Sequence, residues 1–248
     1  MSQPTYSPIV ELRIYSLHPG RRDDLIRLFE REFVESQEAV GIQFLGQFYD
    51  LDDPNRFVWL RGFHNMAGRA ESLNAFYGGP VWKAHRDATN ATMIDSDNVF
   101  LLRLPPGACG FSFNRAHRPP FGSRARQDGF VAATICYFDA PVDSEFIGYF
   151  ENTIRPVLVE TGASILAYFI TEDSPNTFPQ LPVREGENAF VWFAGFPDQD
   201  AYKNHLARLR GSKLWKEEIE TFLKMNIQGK PEVLRLTPTP RSWLTGQV

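Results

Sequence analysis

The sequence predicts an α+β protein built from two tandem ferredoxin-like βαββαβ repeats, whose sheets close an intramolecular barrel. Three observations carry this. Residues 55–63 read NRFVWLRGF and residues 188–196 read NAFVWFAGF, and the same offset of 133 lays Trp215 on Trp82 without a gap. Around each copy the hydrophobic period switches between two and about 3.6 in the order strand, helix, strand, strand, helix, strand. A four-stranded sheet with both helices on one face also needs cover for its other face, which a second copy supplies.

In the first repeat, IVELRIY alternates apolar Val10, Leu12 and Ile14 with Glu11, Arg13 and Tyr15, as a strand with one apolar face does. After HPG, Asp23 and Asp24 suit a helix N-terminus, and Leu25, Leu28, Phe29 and Phe33 continue a helical stripe that Gly41 ends. IQFLGQFY and RFVWLRGF are strands joined by the turn DLDDPN. Asn65 caps a second helix, which GGP at positions 78–80 breaks or kinks before residues 81–92 continue it. NVFLLRL is the last strand.

The second repeat runs from Val131 to Leu236. Gly162 stands 121 residues after Gly41, against the offset of 133 further on, so the surplus of 12 residues falls in TEDSPNTFPQLPVREGE. LLRL and VLRL close the two repeats at an offset of 132. The domains are therefore 8–105 and 130–238, with a Gly/Pro-rich linker at 106–129 and a tail at 239–248. Phe111, Phe113 and Phe121 make the linker too apolar for a free tether, so it is either a strap packed on the surface or a lid over a pocket.

Composition narrows the function classes. A net charge of -4 and a pI near 5.8 remove the broad basic surface that nucleic-acid binding requires. There is no run of eighteen uncharged apolar residues and no basic region leading into an apolar one, so a soluble, cytoplasmic protein without a membrane span is expected. Cys109 and Cys136 are far apart and expected to be free thiols. The 21 Phe point to large core side chains or an aromatic-lined cavity.

The ordered set VELRIYSLHPG, GQF at 46–48, NRFVWLRGF, Gly68-Arg69 and Trp82 resembles the NIPSNAP family of the dimeric α/β-barrel superfamily. The family pattern has an aromatic-rich third strand and an Arg six residues beyond its last aromatic, which Phe63 and Arg69 fit. Arg61 stands where the family commonly has Trp, and His64 where it commonly has an acid. The resemblance implies the fold. Relatives in the superfamily include cofactor-independent monooxygenases, isomerases, lyases, cyclases and haem enzymes.

The repeat is its own control, because a residue the scaffold needs appears in both halves. Val58/Val191, Trp59/Trp192, Phe63/Phe196 and Trp82/Trp215 do so. Polar residues confined to the first half are Glu11 and Arg13 (opposite Ala133 and Ile135), Arg61 (Ala194), His64 (Pro197), Arg69 (Tyr202) and His85 (Glu218). Glu11 and Arg61 suit a cross-strand pair, either a structural ion pair or part of an anion or enolate pocket. His85, three residues after Trp82 on the helical stripe, is the first candidate for a general base, and His64 the second.

The expected enzyme is cofactor-independent, a lyase, isomerase or cyclase acting by proton transfer on a small aromatic or apolar molecule between helices and sheet. His85 or His64 would move the proton, and Arg13 and Arg61 would stabilise negative charge. Glu11, Tyr15, Trp59, Arg69 and Trp82 would line the substrate. The alternatives are a non-catalytic ligand-binding or protein-interaction module and a cofactor-free monooxygenase. No HxxxH, HxH or HExxH spacing, phosphate-binding glycine loop or GxSxG elbow is present, so neither metal nor cofactor is expected. Exposed outer sheet edges leave room for a homodimer.

Overall fold

A computed structural model describes residues 7–108, 110–111 and 118–246. The expectations for Cys109 and Phe113 fall outside the described residues. In the first half, β1 (Ile9–Leu17) leads to α1 (22–38), β2 (Gln43–Asp50), β3 (Arg56–Phe63), α2 (Met66–Gly78), α3 (Pro80–Asn90), β4 (Met93–Asp95) and β5 (Val99–Arg103). The second half comprises β6 (Phe130–Phe138), α4 (144–160), β7 (Ser164–Thr171), β8 (Asn188–Phe196), α5 (Gln199–Gly211), α6 (213–226) and β9 (Gln228–Pro238).

Eight strands close an antiparallel barrel in the order β3-β2-β9-β6-β8-β7-β5-β1, with β1 returning to β3. The first half contributes the neighbours β5-β1-β3-β2 and the second β9-β6-β8-β7. The joins between halves are short: three residue pairs between β2 and β9 and two between β5 and β7. Closure hides the outer edges that the sequence left open. β4, absent from the sequence expectation, adds a short strand to the end of β1.

The period-two alternation sends Val10, Leu12, Ile14, Val58 and Leu60 inward, where they meet their second-half counterparts in one fully buried core. Phe111 from the linker packs on Phe169 and Phe193, with ring centroids 5.4 and 5.1 Å away. Phe111 is thus part of the barrel core. Phe121, farther along, is exposed.

The outward faces carry the helices, with a separate apolar core in each half. Gly41 and Gly162 take φ of +92° and +111°, ending α1 and α4 where a side chain would be strained. Asn65 caps α2 by accepting from the Gly68 amide at 2.7 Å, and Pro80 starts α3 as a new helix after Gly79. Inside α1, α4 and α6 one turn is π-helical, at Phe29–Phe33, Phe150–Ile154 and Trp215–Ile219. The sequence periodicity did not show these turns.

Strand pairing corrects one alignment. Glu11 pairs Arg61 and Arg13 pairs Trp59, whereas Ala132 pairs Ala194 and Thr134 pairs Trp192. The counterparts of Glu11 and Arg13 are therefore Ala132 and Thr134, one residue before Ala133 and Ile135. A one-residue slip in a strand exchanges its faces, and Ala133 and Ile135 belong to the barrel interior. No helix among the described residues is long and apolar enough to cross a membrane.

Candidate functional site

β1 and β3 are neighbours, so their outward residues stand side by side under α1 and α2. Glu11 lies at the centre. Its Oε2 accepts from Arg13 Nη1 at 2.6 Å and from Arg61 Nε at 2.7 Å, and its Oε1 accepts from Arg69 Nε at 2.7 Å. All four side chains are fully buried. Three guanidiniums against one carboxylate leave two positive charges in excess inside the protein, where charge is costly unless it is paired. Nη2 of Arg13 and of Arg69 have no hydrogen-bond partner among the described residues.

Burial alone would raise the Glu11 carboxyl, but Arg61, Arg13 and Arg69 outweigh it and hold the group well below the usual carboxylate range. Burial lowers Arg69, with Glu11 working against it and the other arginines adding to it. Burial raises the Tyr15 phenol, with Arg13 pulling the other way.

Beside this cluster a cavity of about 480 Å³ opens between the helices and the sheet of the first half. Tyr15, Phe33, Trp59, Phe76, Tyr77 and Trp82 form much of its wall, and among the described residues no carboxylate, histidine, lysine or arginine lines it. The arginines stand one layer behind, bonded to groups in the wall. Arg13 Nε donates to Tyr15 Oη at 2.8 Å, and Arg61 Nη1 approaches Gln37 Oε1 and Tyr77 Oη at 3.4 Å each. Arg61 also lies 5.1 Å from the Trp59 ring centre, as a cation on an aromatic face does.

The rest of the wall comes from the second half. Phe178, Gln180 and Leu181 line the cavity, and Phe178 stacks on Tyr77 at 5.6 Å. All three belong to the loop between β7 and β8 that holds the surplus of 12 residues. Arg69 Nη1 holds this loop by donating to Asn176 Oδ1 at 3.0 Å and Thr177 Oγ1 at 3.1 Å. The lid role that the sequence offered to the linker is thus filled, over this cavity, by a different segment.

Seven of the nine residues singled out from the sequence meet here: Glu11, Arg13, Arg61 and Arg69 in the cluster, and Tyr15, Trp59 and Trp82 in the wall. His85 is at the edge, outside the lining. Its ring is 6.3 Å from Phe33, its Nε2 is 3.4 Å from Glu32 Oε2, and its side chain is 29% exposed. His64 is exposed and does not line the cavity. Gln37, Tyr77 and Phe178 were missed. Gln37 follows Phe33 by one helical turn and was the findable one; Phe178 lies in an insertion without periodicity.

In the second half the positions of the cluster hold no charged residue. Ala132, Thr134 and Ala194 replace the charged residues on the strands, and Tyr202, at the position of Arg69, stacks on Phe130 at 4.5 Å. His205 lies one turn on, bonded through Nδ1 to Thr161 Oγ1 at 2.9 Å, with burial holding its pKa below the ordinary value.

Residues 10–106 match the NIPSNAP family model. The match falls on the first half. No curated protein matches the chain. Solved structures that share the whole fold include three with TM-scores above 0.5. A "putative monooxygenase" from Fusobacterium nucleatum is 15% identical with a TM-score of 0.57, covering 95% of this chain and 94% of that one. A second "putative monooxygenase", from Lactobacillus acidophilus, is 16% identical with a TM-score of 0.55, covering 95% and 98%. An anthrone oxidase-like protein is 11% identical with a TM-score of 0.54, covering 100% and 99%.

Proposed function

We propose that the protein is a cofactor-independent enzyme that takes a small aromatic or apolar molecule into the cavity of its first half and acts on it by proton transfer. On this reading the two halves are ferredoxin-like units forming a pseudo-dimer, of which only the first keeps a site. One observation carries the proposal: a cavity walled by aromatic rings stands against a buried cluster with excess positive charge, for which the other half has only uncharged residues. Aromatic walls supply stacking area, and a water-poor interior strengthens every contact to developing negative charge.

Trp59 and Trp82 flank the bound ring system, and Arg13 and Arg61 set the positive potential of the site from behind the wall. His85, paired with Glu32 beside Phe33 and Trp82, carries the proton at the rim. Lyase, isomerase and cyclase reactions need only these parts. The names of the fold neighbours favour cofactor-free oxygenation as a variant. A non-catalytic ligand-binding or protein-interaction module is the second reading, favoured by the absence of His85 and His64 from the lining.

Tryptophan fluorescence of the purified protein, titrated with a panel of one- to three-ring aromatic compounds, tests the binding reading. Saturable quenching that Trp82→Ala weakens at least tenfold is expected. Binding of no compound would sink the proposal. If binding is found, turnover assays with wild type and His85→Ala separate enzyme from carrier, since a carrier shows none in either.

A further inference from the structure

The hydrogen-bond directions at the cavity wall specify the ligand more closely. Arg13 Nε and Arg61 Nη1 can only donate, so the hydroxyls of Tyr15 and Tyr77 act as acceptors in both contacts. Each phenolic O–H then keeps its proton free, and among the described residues no group accepts either one. Both residues line the cavity. Gln37 is engaged in the same sense, with its Oε1 facing Arg61 and its Nε2 donating to the Phe33 carbonyl at 3.1 Å. Where the wall meets the arginine cluster, Tyr15 and Tyr77 therefore present donors. Guanidinium contacts polarise the two hydroxyls and strengthen what they can donate.

We infer that the cavity selects a flat aromatic molecule carrying an acidic oxygen, a phenol, enol or carboxylic acid bound as its anion, which accepts hydrogen bonds from Tyr15 and Tyr77. This rests on the binding reading given above and deepens it. The cluster of Glu11 with three arginines leaves two positive charges in excess, and the anion offsets part of that charge. The wall has no carboxylate to repel it. Tyr15 and Tyr77 would be the groups touching the reactive oxygen, and Arg13 and Arg61 act through them as positioning residues.

The test uses the full chain and a matched set of probes: naphthalene, 2-naphthylamine, 2-naphthol and 2-naphthoate, titrated by tryptophan fluorescence and calorimetry at pH 8. The expected result is that 2-naphthoate binds at least tenfold more tightly than naphthalene or 2-naphthylamine, as a charge-assisted hydrogen bond gives. Tyr15→Phe should remove that preference, and Tyr77→Phe should reduce it. Equal affinity for naphthalene and 2-naphthoate would overturn this inference and leave the aromatic site standing. Binding of no probe would overturn both. A preference unchanged in both Phe variants would assign the anion to other groups and overturn the role of the tyrosines.

Discussion

Glu11 is the residue on which the first half turns, because three arginines share its two oxygens. Replacing it with Gln keeps the shape and removes the only carboxylate in the cluster, so three buried guanidiniums would face one another without a counter-charge. Breaking a buried pair from one side costs about 3–5 kcal/mol. Glu11→Gln is therefore expected to lose at least about 3 kcal/mol in urea unfolding at pH 7. The pH dependence has a defined sign. The folded carboxyl titrates below its unfolded value of about 4.3, so its contribution is complete above that value and is lost as pH falls toward the depressed folded pKa. The gap between wild type and Glu11→Gln should thus be constant above about pH 6 and narrow below about pH 4. A gap that stays constant down to pH 3 would mean that Glu11 is not held by the arginines.

At the scale of elements, the decisive one is the loop between β7 and β8, which closes a cavity belonging to the other half. Arg69 ties the loop to the charged cluster, and Phe178 lays its ring on Tyr77. Phe178→Ala should weaken binding of aromatic ligands at least fivefold by opening the wall, while barrel stability falls by less than the roughly 3–5 kcal/mol typical of a core Phe. Fluorescence titration and urea unfolding on the same preparation check both, and unchanged affinity would make the loop a mere cover.

The length of this insertion was legible in the sequence, because two offsets in the repeat differ; its destination was not, because nothing local says which half a Pro- and Asn-rich loop lies on. The strands and the Glu11–Arg61 pairing were legible for the opposite reason. Period-two alternation assigns faces, and the split βαβ order makes β1 and β3 neighbours. The alignment of Glu11 slipped by one residue because Ala132 and Ala133 read alike, and only the ladder distinguishes them. His85 appeared as a member of an apolar stripe, yet α3 buries only Thr89, and the imidazole ends beside Glu32 at the edge.

Over the whole molecule, the family match and the folding unit do not coincide. The NIPSNAP match spans residues 10–106, but the inward faces of the strands in it are buried against strands of the second half, Phe111 and Leu244. Val10, Leu12, Ile14, Val58 and Leu60 would all reach water if the halves were parted, and an apolar sheet face of that size is a strong drive to associate. A fragment of residues 1–108 is therefore expected to self-associate, two copies covering each other's open sheet faces in place of the second half. Light scattering coupled to size-exclusion chromatography reads the outcome directly: a dimer or larger species supports the argument, and a stable monomer with native circular dichroism would refute it. Such a dimer would carry two arginine clusters and no β7–β8 loop, so it should bind aromatic ligands more weakly per site than the intact chain. That contrast follows from the asymmetry of the two halves: the second half, with Tyr202 where the first has Arg69 and no charged cluster, completes the barrel and roofs the cavity of the first.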